Sequence, residues 1–288
     1  MDLGFTTQRV MSGDVAISVN TVGQGEPLLL IHGYPETHLT WYAVIPELAK
    51  QYTVVCPDLR GYGASDKPAG EPDHANYSKR AMAQDMIAVM DALGFDRFRV
   101  VAHDRGARVA HRLCLDHPQR VSKVALVDIV PTTTLYDEVT REVATAYFHW
   151  FFLIQPAPLP EKLIGGDPKA YLHMGLGMRT GGLASLDEDV LRSFEESFCD
   201  ADAIHASCED YRAAASIDLE HDRADSDKKI ECPLLVIWGT EGPMGRCFDV
   251  PGTWESKATS LSRLGIASNH YVQQEAPGAF LDALAAFL

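Results

Sequence analysis

The stretch Ala102-His103-Asp104-Arg105-Gly106-Ala107-Arg108 follows directly on the apolar run Phe98-Arg99-Val100-Val101 and opens a helical pattern. A small-x-Asp-x-Gly core in that setting specifies a strained strand-to-helix corner, the turn that lifts a nucleophile above a sheet while small neighbours let the chain pass. The usual residue at its centre is serine, and here it is Asp104. A serine must be deprotonated before it attacks an acyl carbon. A carboxylate is already ionised at neutral pH and can displace a leaving group from a saturated carbon. The chemistry expected of this corner is therefore alkyl transfer followed by hydrolysis.

Short Val-, Ile- and Leu-rich runs recur at Pro27–Ile31, Thr53–Pro57, Arg99–Ala102, Val124–Ile129 and Leu234–Trp238, separated by helix-like stretches. That alternation predicts a mostly parallel sheet covered on both faces. Apolar positions at three- and four-residue spacing predict helices over Ser78–Leu93, Arg105–Asp116 and Pro277–Leu288, with Gly94 and Pro118 as stop signals. Residues 131–230 carry helical character and aromatic clusters but no convincing strand, which reads as an inserted helical cap domain. The core domain is then 1–130 together with 231–288.

Four segments fit a single site in the chain order nucleophile, acid, histidine that the α/β-hydrolase fold requires. That fold is a mostly parallel eight-stranded sheet flanked by helices. His32-Gly33-Tyr34-Pro35 follows a strand and offers a backbone N–H to an oxyanion, the second coming from Arg105. The loop from Asp58 to Asp66, with Gly61 and Gly63, reads as a tight turn needing positive φ; it lacks the third glycine of a dinucleotide loop. His270, followed by Glu275-Ala276-Pro277 and a terminal helix, stands where the fold places its base. The acid that orients it is Asp128, at the end of an apolar strand where a lone carboxylate is costly unless partnered, with Glu241 as the alternative.

Arg105 follows the nucleophile and Arg108 lies one helical turn beyond Asp104, so both guanidinium forks can reach one pocket mouth and hold a carboxylate. The alternative is that Arg108 pairs with a structural carboxylate while Arg105 reaches solvent. In Tyr147-Phe148-His149-Trp150-Phe151-Phe152, His149 and Trp150 set two N–H donors side by side, and Tyr211 adds a third. An aromatic run of this kind is also what a plain core stripe looks like.

With these segments assembled, the chain resembles the fluoroacetate (haloacetate) dehalogenases. The resemblance spans nearly the whole chain. It rests on His103 to Arg108, Asp116-His117-Pro118, Leu126-Val127-Asp128-Ile129-Val130-Pro131, His149-Trp150 with Gln155-Pro156-Ala157-Pro158, and Ala203-Ile204-His205 leading to Asp210-Tyr211-Arg212. It implies that Asp104 attacks the α-carbon, Arg105 and Arg108 clamp the carboxylate, and His149, Trp150 and Tyr211 bind the leaving halide. His270, held by Asp128, then activates water. It implies no metal or organic cofactor, and a homodimer. Family members tend to carry tryptophan in the stretch that here reads Gly175-Leu176-Gly177-Met178, and phenylalanine at Tyr34. A flexible Met178 beside Tyr34 predicts a looser pocket and altered selectivity among fluoro-, chloro- and larger 2-haloacids.

Epoxide hydrolases share the Asp–His–acid machinery and would use Tyr211 with Tyr147 or Tyr171 as acids, but Arg105 after the nucleophile argues against an uncharged substrate. A non-catalytic small-molecule binder is expected to have lost a triad member, and every candidate is present. The net charge of −15 over 288 residues argues against nucleic acid or an anionic membrane as partner. The first ten residues show no leader pattern, and Ala144–Ile154 is too short to span a bilayer. Six cysteines without metal-ligand spacing fit free thiols, so the expected location is cytoplasmic.

Overall fold

The computed structural model describes residues 3–288; Met1 and Asp2, the start of the stretch read for a leader, lie outside the described residues. Eight strands form one sheet: β1 (Thr6–Ser12), β2 (Val15–Val22), β3 (Glu26–Ile31), β4 (Tyr52–Pro57), β5 (Phe98–His103), β6 (Val121–Val127), β7 (Leu234–Gly239) and β8 (Leu261–Ile266). Their spatial order is β1-β2-β4-β3-β5-β6-β7-β8. β2 pairs antiparallel with β1 and β4, and the remaining pairs are parallel. The five sequence-read runs became β3 to β7. β1, β2 and β8 were missed: β1 and β8 are largely exposed edge strands, so they lack the continuous apolar run of a strand buried on both faces.

Alternation along the central strands sorts the core into two layers. Leu29, Ile31, Val100, Ala102, Val124, Leu126, Leu234 and Val236 face one layer. Leu28, Leu30, Val101, Ala125, Val127, Leu235 and Ile237 face the other. Three helices match the sequence periodicity closely: α1 (Lys79–Ala92), α2 (Asp104–Asp116) and α6 (Pro277–Phe287). Ser78 caps α1 by accepting from the Ala81 N–H at 3.1 Å, and Gly94 takes φ +78° just past its end. Between β6 and β7 the chain forms helices from Thr132 to Ala224, among them α3 (Phe148–Phe152), α4 (Pro168–Arg179) and α5 (Ala201–Ala215). No helix among the described residues is long and apolar enough to cross a membrane, and all six cysteines are free thiols.

The corner between β5 and α2 is built by close approach. A Cβ on Gly106 would fall 2.2 Å from the carbonyl oxygen of His32, and one on Gly33 would fall 2.6 Å from Cβ of Asp104. Because the Gly106 obstacle is backbone, it cannot swing aside. Gly106→Ala is expected to lower unfolding free energy by about 1–3 kcal/mol in denaturant titration, whereas Gly278→Ala, where nothing lies within 4 Å, should be neutral or slightly stabilising.

Candidate active site

Asp104 is the first residue of α2 and takes φ +46°, a left-handed conformation that a non-glycine residue holds at a cost of about 1–3 kcal/mol. That strain points the carboxylate out of the β5–α2 corner towards the helices between β6 and β7. The side chain is buried at 6% exposure, and its Oδ2 accepts the Tyr34 N–H at 3.0 Å. Burial alone would raise its pKa. The charges of His270, His103, Arg179 and Arg105 outweigh that and hold it well below the usual carboxylate range. The group is an anion at any physiological pH.

His270 and Asp128 come together. Nδ1–H of His270 donates to Oδ2 of Asp128 at 2.6 Å, while Asp128 Oδ1 accepts the Gly239 N–H at 2.9 Å. Asp128 is fully buried at φ +55°, just beyond the end of β6. The alternative acid, Glu241, is exposed and bonds through its backbone N–H to Ser268. With Nδ1 committed to Asp128, Nε2 of His270 is the ring nitrogen left to take up a proton, and it is buried without a hydrogen-bond partner among the described residues.

Behind this pair lies a second one that sequence reasoning missed. The His103 ring lies tilted against that of His270 with centroids 4.6 Å apart, and its Nε2–H donates to the His270 carbonyl at 2.9 Å. Its Nδ1 forms an ion pair with Oε1 of Glu36 at 2.8 Å, and Oε2 of Glu36 accepts the Gly33 N–H at 2.8 Å. Burial would lower the His103 pKa, but Glu36, Asp104 and Asp128 push it up to about 9. One buried carboxylate thus braces both the loop beneath the nucleophile and the base.

The arginines divide differently from expectation. Arg105 takes the structural carboxylate: it donates to both carboxylate oxygens of Asp210, at 3.1 and 2.6 Å, and to the Asp210 carbonyl at 2.8 Å. Arg108 has no carboxylate partner among the described residues; Nη1 donates to the Val130 carbonyl at 2.9 Å and to the Thr132 hydroxyl at 3.0 Å. Burial and the neighbouring charge of Arg105 bring its pKa down to about 10, so it remains a cation. Nη1 of Arg105 and both Nε and Nη2 of Arg108 are buried without acceptors. Asp210, which sequence reading quoted without a role, also pairs with buried Lys79 and accepts the Tyr62 hydroxyl at 2.6 Å.

His149, Trp150 and Tyr211 also converge. The Tyr211 ring meets those of Trp150 and His149 edge-on at 5.3 and 5.7 Å. The Arg108 guanidinium lies 4.5 Å from the Trp150 ring and that of Arg105 lies 4.1 Å from the Tyr211 ring. The Tyr211 hydroxyl is buried without an acceptor. Burial, with Arg179 nearby, lowers the His149 pKa well below its usual range, so the ring is neutral and carries one N–H.

The α/β hydrolase fold model matches residues 26–277. A fluoroacetate dehalogenase from Burkholderia sp is 45% identical over 275 residues, 95% of this chain and 90% of its own. The chain belongs to the fluoroacetate dehalogenase family of the α/β hydrolases. A solved chain from Nostoc sp PCC 7120, named only as far as the α/β hydrolase class, superposes with a TM-score of 0.98 at 49% identity, covering 100% of this chain and 99% of its own. More distantly, a soluble epoxide hydrolase from Corynebacterium sp. (strain C12) is 28% identical, covering 100% of this chain and 98% of its own.

The two pocket residues read from the sequence, Tyr34 and Met178, stand at different depths. Tyr34 is buried in the site, its ring 5.9 Å from that of His149. Met178 is 54% exposed and lines the outer part of the cleft that Tyr34 and His149 also line. Helical phase explains this: Leu172, Leu176 and Arg179 form the buried stripe of α4, which turns Arg179 inward in place of Met178. The Asp58–Asp66 loop is structural, as expected of it. Gly61 and Gly63 take positive φ, and Asp58 accepts the backbone N–H groups of His38 and Ala64 at 2.8 and 3.0 Å.

Because the folded-state pKa of His103 lies above its ordinary value of 6.5, its contribution to stability is complete below pH 6.5 and disappears as pH rises through about 9. The denaturant midpoint should fall across that window in the wild type and stay flatter in His103→Gln.

Proposed function

We propose that this protein hydrolyses haloacetates to glycolate and halide, with Asp104 as nucleophile and residues 131–230 as a cap over the site. The observation that carries the reading is a buried, ionised carboxylate at the strand–helix corner with guanidinium N–H groups nearby that no acceptor among the described residues satisfies. An anionic substrate supplies those acceptors, and the ionised Asp104 supplies the electron pair.

In the first step the Arg105 and Arg108 N–H groups hold the substrate carboxylate, and Asp104 attacks the α-carbon. The C–O bond forms as the carbon–halogen bond breaks, and the bonding pair leaves with the halide. His149, Trp150 and Tyr211 donate hydrogen bonds to the departing halide; fluoride depends on them most, because its charge is concentrated as it forms. In the second step Nε2 of His270 removes a proton from water, and the hydroxide adds to the Asp104 carbonyl carbon. The Tyr34 N–H stabilises the oxyanion, with the Arg105 N–H as the second donor the corner offers. Collapse expels glycolate as its alkoxide, which recovers the proton from His270; Asp104 is left as a carboxylic acid and returns to the carboxylate by releasing that proton to solvent. Asp128 keeps His270 in the tautomer this requires.

Epoxide opening uses the same triad, and the buried, acceptor-free hydroxyls of Tyr147 and Tyr211 favour it as a second reading. The guanidinium lining opposes it, since an epoxide carries no anion to occupy those donors.

Halide release from fluoroacetate and chloroacetate, with glycolate quantified, tests the assignment. Asp104→Asn should lower kcat by at least about 10³-fold. His270→Asn should release halide once and then stall, with the protein mass increased by one carboxymethyl group. Turnover of styrene oxide without halide release from either haloacetate would establish the epoxide reading instead.

A further inference from the structure

Arg179 stands at the C-terminal end of α4, only 5% exposed, and no role described above uses its guanidinium as a ligand-binding group. Nε donates to the Gly175 carbonyl at 3.0 Å and Nη1 makes a long bond to the Tyr34 carbonyl at 3.3 Å. Among the described residues no carboxylate lies within ion-pair distance of it. Its backbone is tied to the base, because the His270 N–H donates to the Arg179 carbonyl at 3.1 Å. The side chain lines a small cleft with Tyr34, Phe148, His149, Tyr171 and Met178. Tyr34 and His149 are shared between this cleft and the inner site, so Arg179 stands at the boundary between the two.

Asp104 is near enough for the two charges to act on each other, but a buried guanidinium with no carboxylate in direct contact is still costly, and the cost is recovered when an anion pairs with it. The net charge of −15 repels anions at long range, so a cation inside the cleft acts locally on what has already entered. On the reading given under Proposed function, a haloacid has its carboxylate on Arg105 and Arg108 and its halogen towards His149, Trp150 and Tyr211. Asp104 occupies the side opposite the halogen. An α-substituent then has the outer cleft as its open direction, and that direction leads past Arg179.

We propose that Arg179 anchors a second carboxylate subsite in this cleft, and that the best substrates are 2-haloacids whose α-substituent ends in a carboxylate. With Nε on the Gly175 carbonyl and Nη1 on the Tyr34 carbonyl, Nη2 and the second Nη1 hydrogen are left to meet a carboxylate, and the aromatic and methionine lining suits the short methylene link. This inference rests on the dehalogenase reading for its chemistry but not for its binding.

The test compares 2-chlorosuccinate with 2-chlorobutyrate by kcat/KM for chloride release, in wild type, Arg179→Met and Arg179→Lys. In parallel, calorimetry compares the binding of succinate and butyrate to the same proteins. The wild type should favour chlorosuccinate by about tenfold or more, Arg179→Met should bring the ratio close to unity, and Arg179→Lys should restore part of it. A ratio unchanged in Arg179→Met overturns the subsite, as does a wild-type preference for chlorobutyrate. An equal fall for both substrates in Arg179→Met also overturns it, showing a general attraction for anions. If no substrate releases chloride, the dehalogenase reading fails. Preferential succinate binding that Arg179→Met abolishes then still supports the subsite, and equal binding of succinate and butyrate overturns it.

Discussion

A carboxylate sealed above a β-sheet has to be surrounded by positive charge, and most of the structure around Asp104 meets that demand. Burial opposes ionisation by several kcal/mol. His270, His103, Arg179 and Arg105 act together against it. The fold sets one carboxylate behind most of these groups: Asp128 behind the His270 ring, Glu36 behind His103, Asp210 behind Arg105. Charges alternate outward from Asp104, while Arg108 and Arg179 have no carboxylate within ion-pair distance among the described residues.

Those two exceptions carry the functional argument. Arg105 is neutralised and fixed by Asp210, which makes it a rigid donor rather than a free charge. Arg108, on the same helix, keeps a net positive charge beside the same aromatic rings. A site with one balanced and one unbalanced guanidinium favours a monoanion over a neutral molecule. An anion bound there would meet donors that barely move, because the strand–helix corner, the Asp210 pairing and the Trp150 and Tyr211 rings lock them in place.

Much of this was legible in the sequence because the relevant signals are local. The corner motif, the buried apolar runs of β3 to β7 and the capped periodicity of α1 lie within short windows, and an aspartate ending an apolar strand announced the need for a partner that His270 meets. What escaped depends on tertiary pairing. Glu36 and His103 come from different loops, and Asp210 reaches Arg105 across 105 positions, so neither pairing leaves a trace in spacing. Arg179 did leave one. It continues the Leu172 and Leu176 stripe, and attention to helical phase points to it rather than to its neighbour Met178. The edge strands β1 and β8 escaped because their exposure removes the apolar pattern that marks a strand.

The claim on which the account turns is that oxygen reaches the product through Asp104 and not directly from water. A single turnover in water enriched in heavy oxygen, with enzyme in excess over chloroacetate, tests it most directly. The account predicts unlabelled glycolate and heavy oxygen in the peptide containing Asp104. Labelled glycolate with an unlabelled Asp104 would contradict it, and would make Asp104 a base or an electrostatic support instead of the nucleophile.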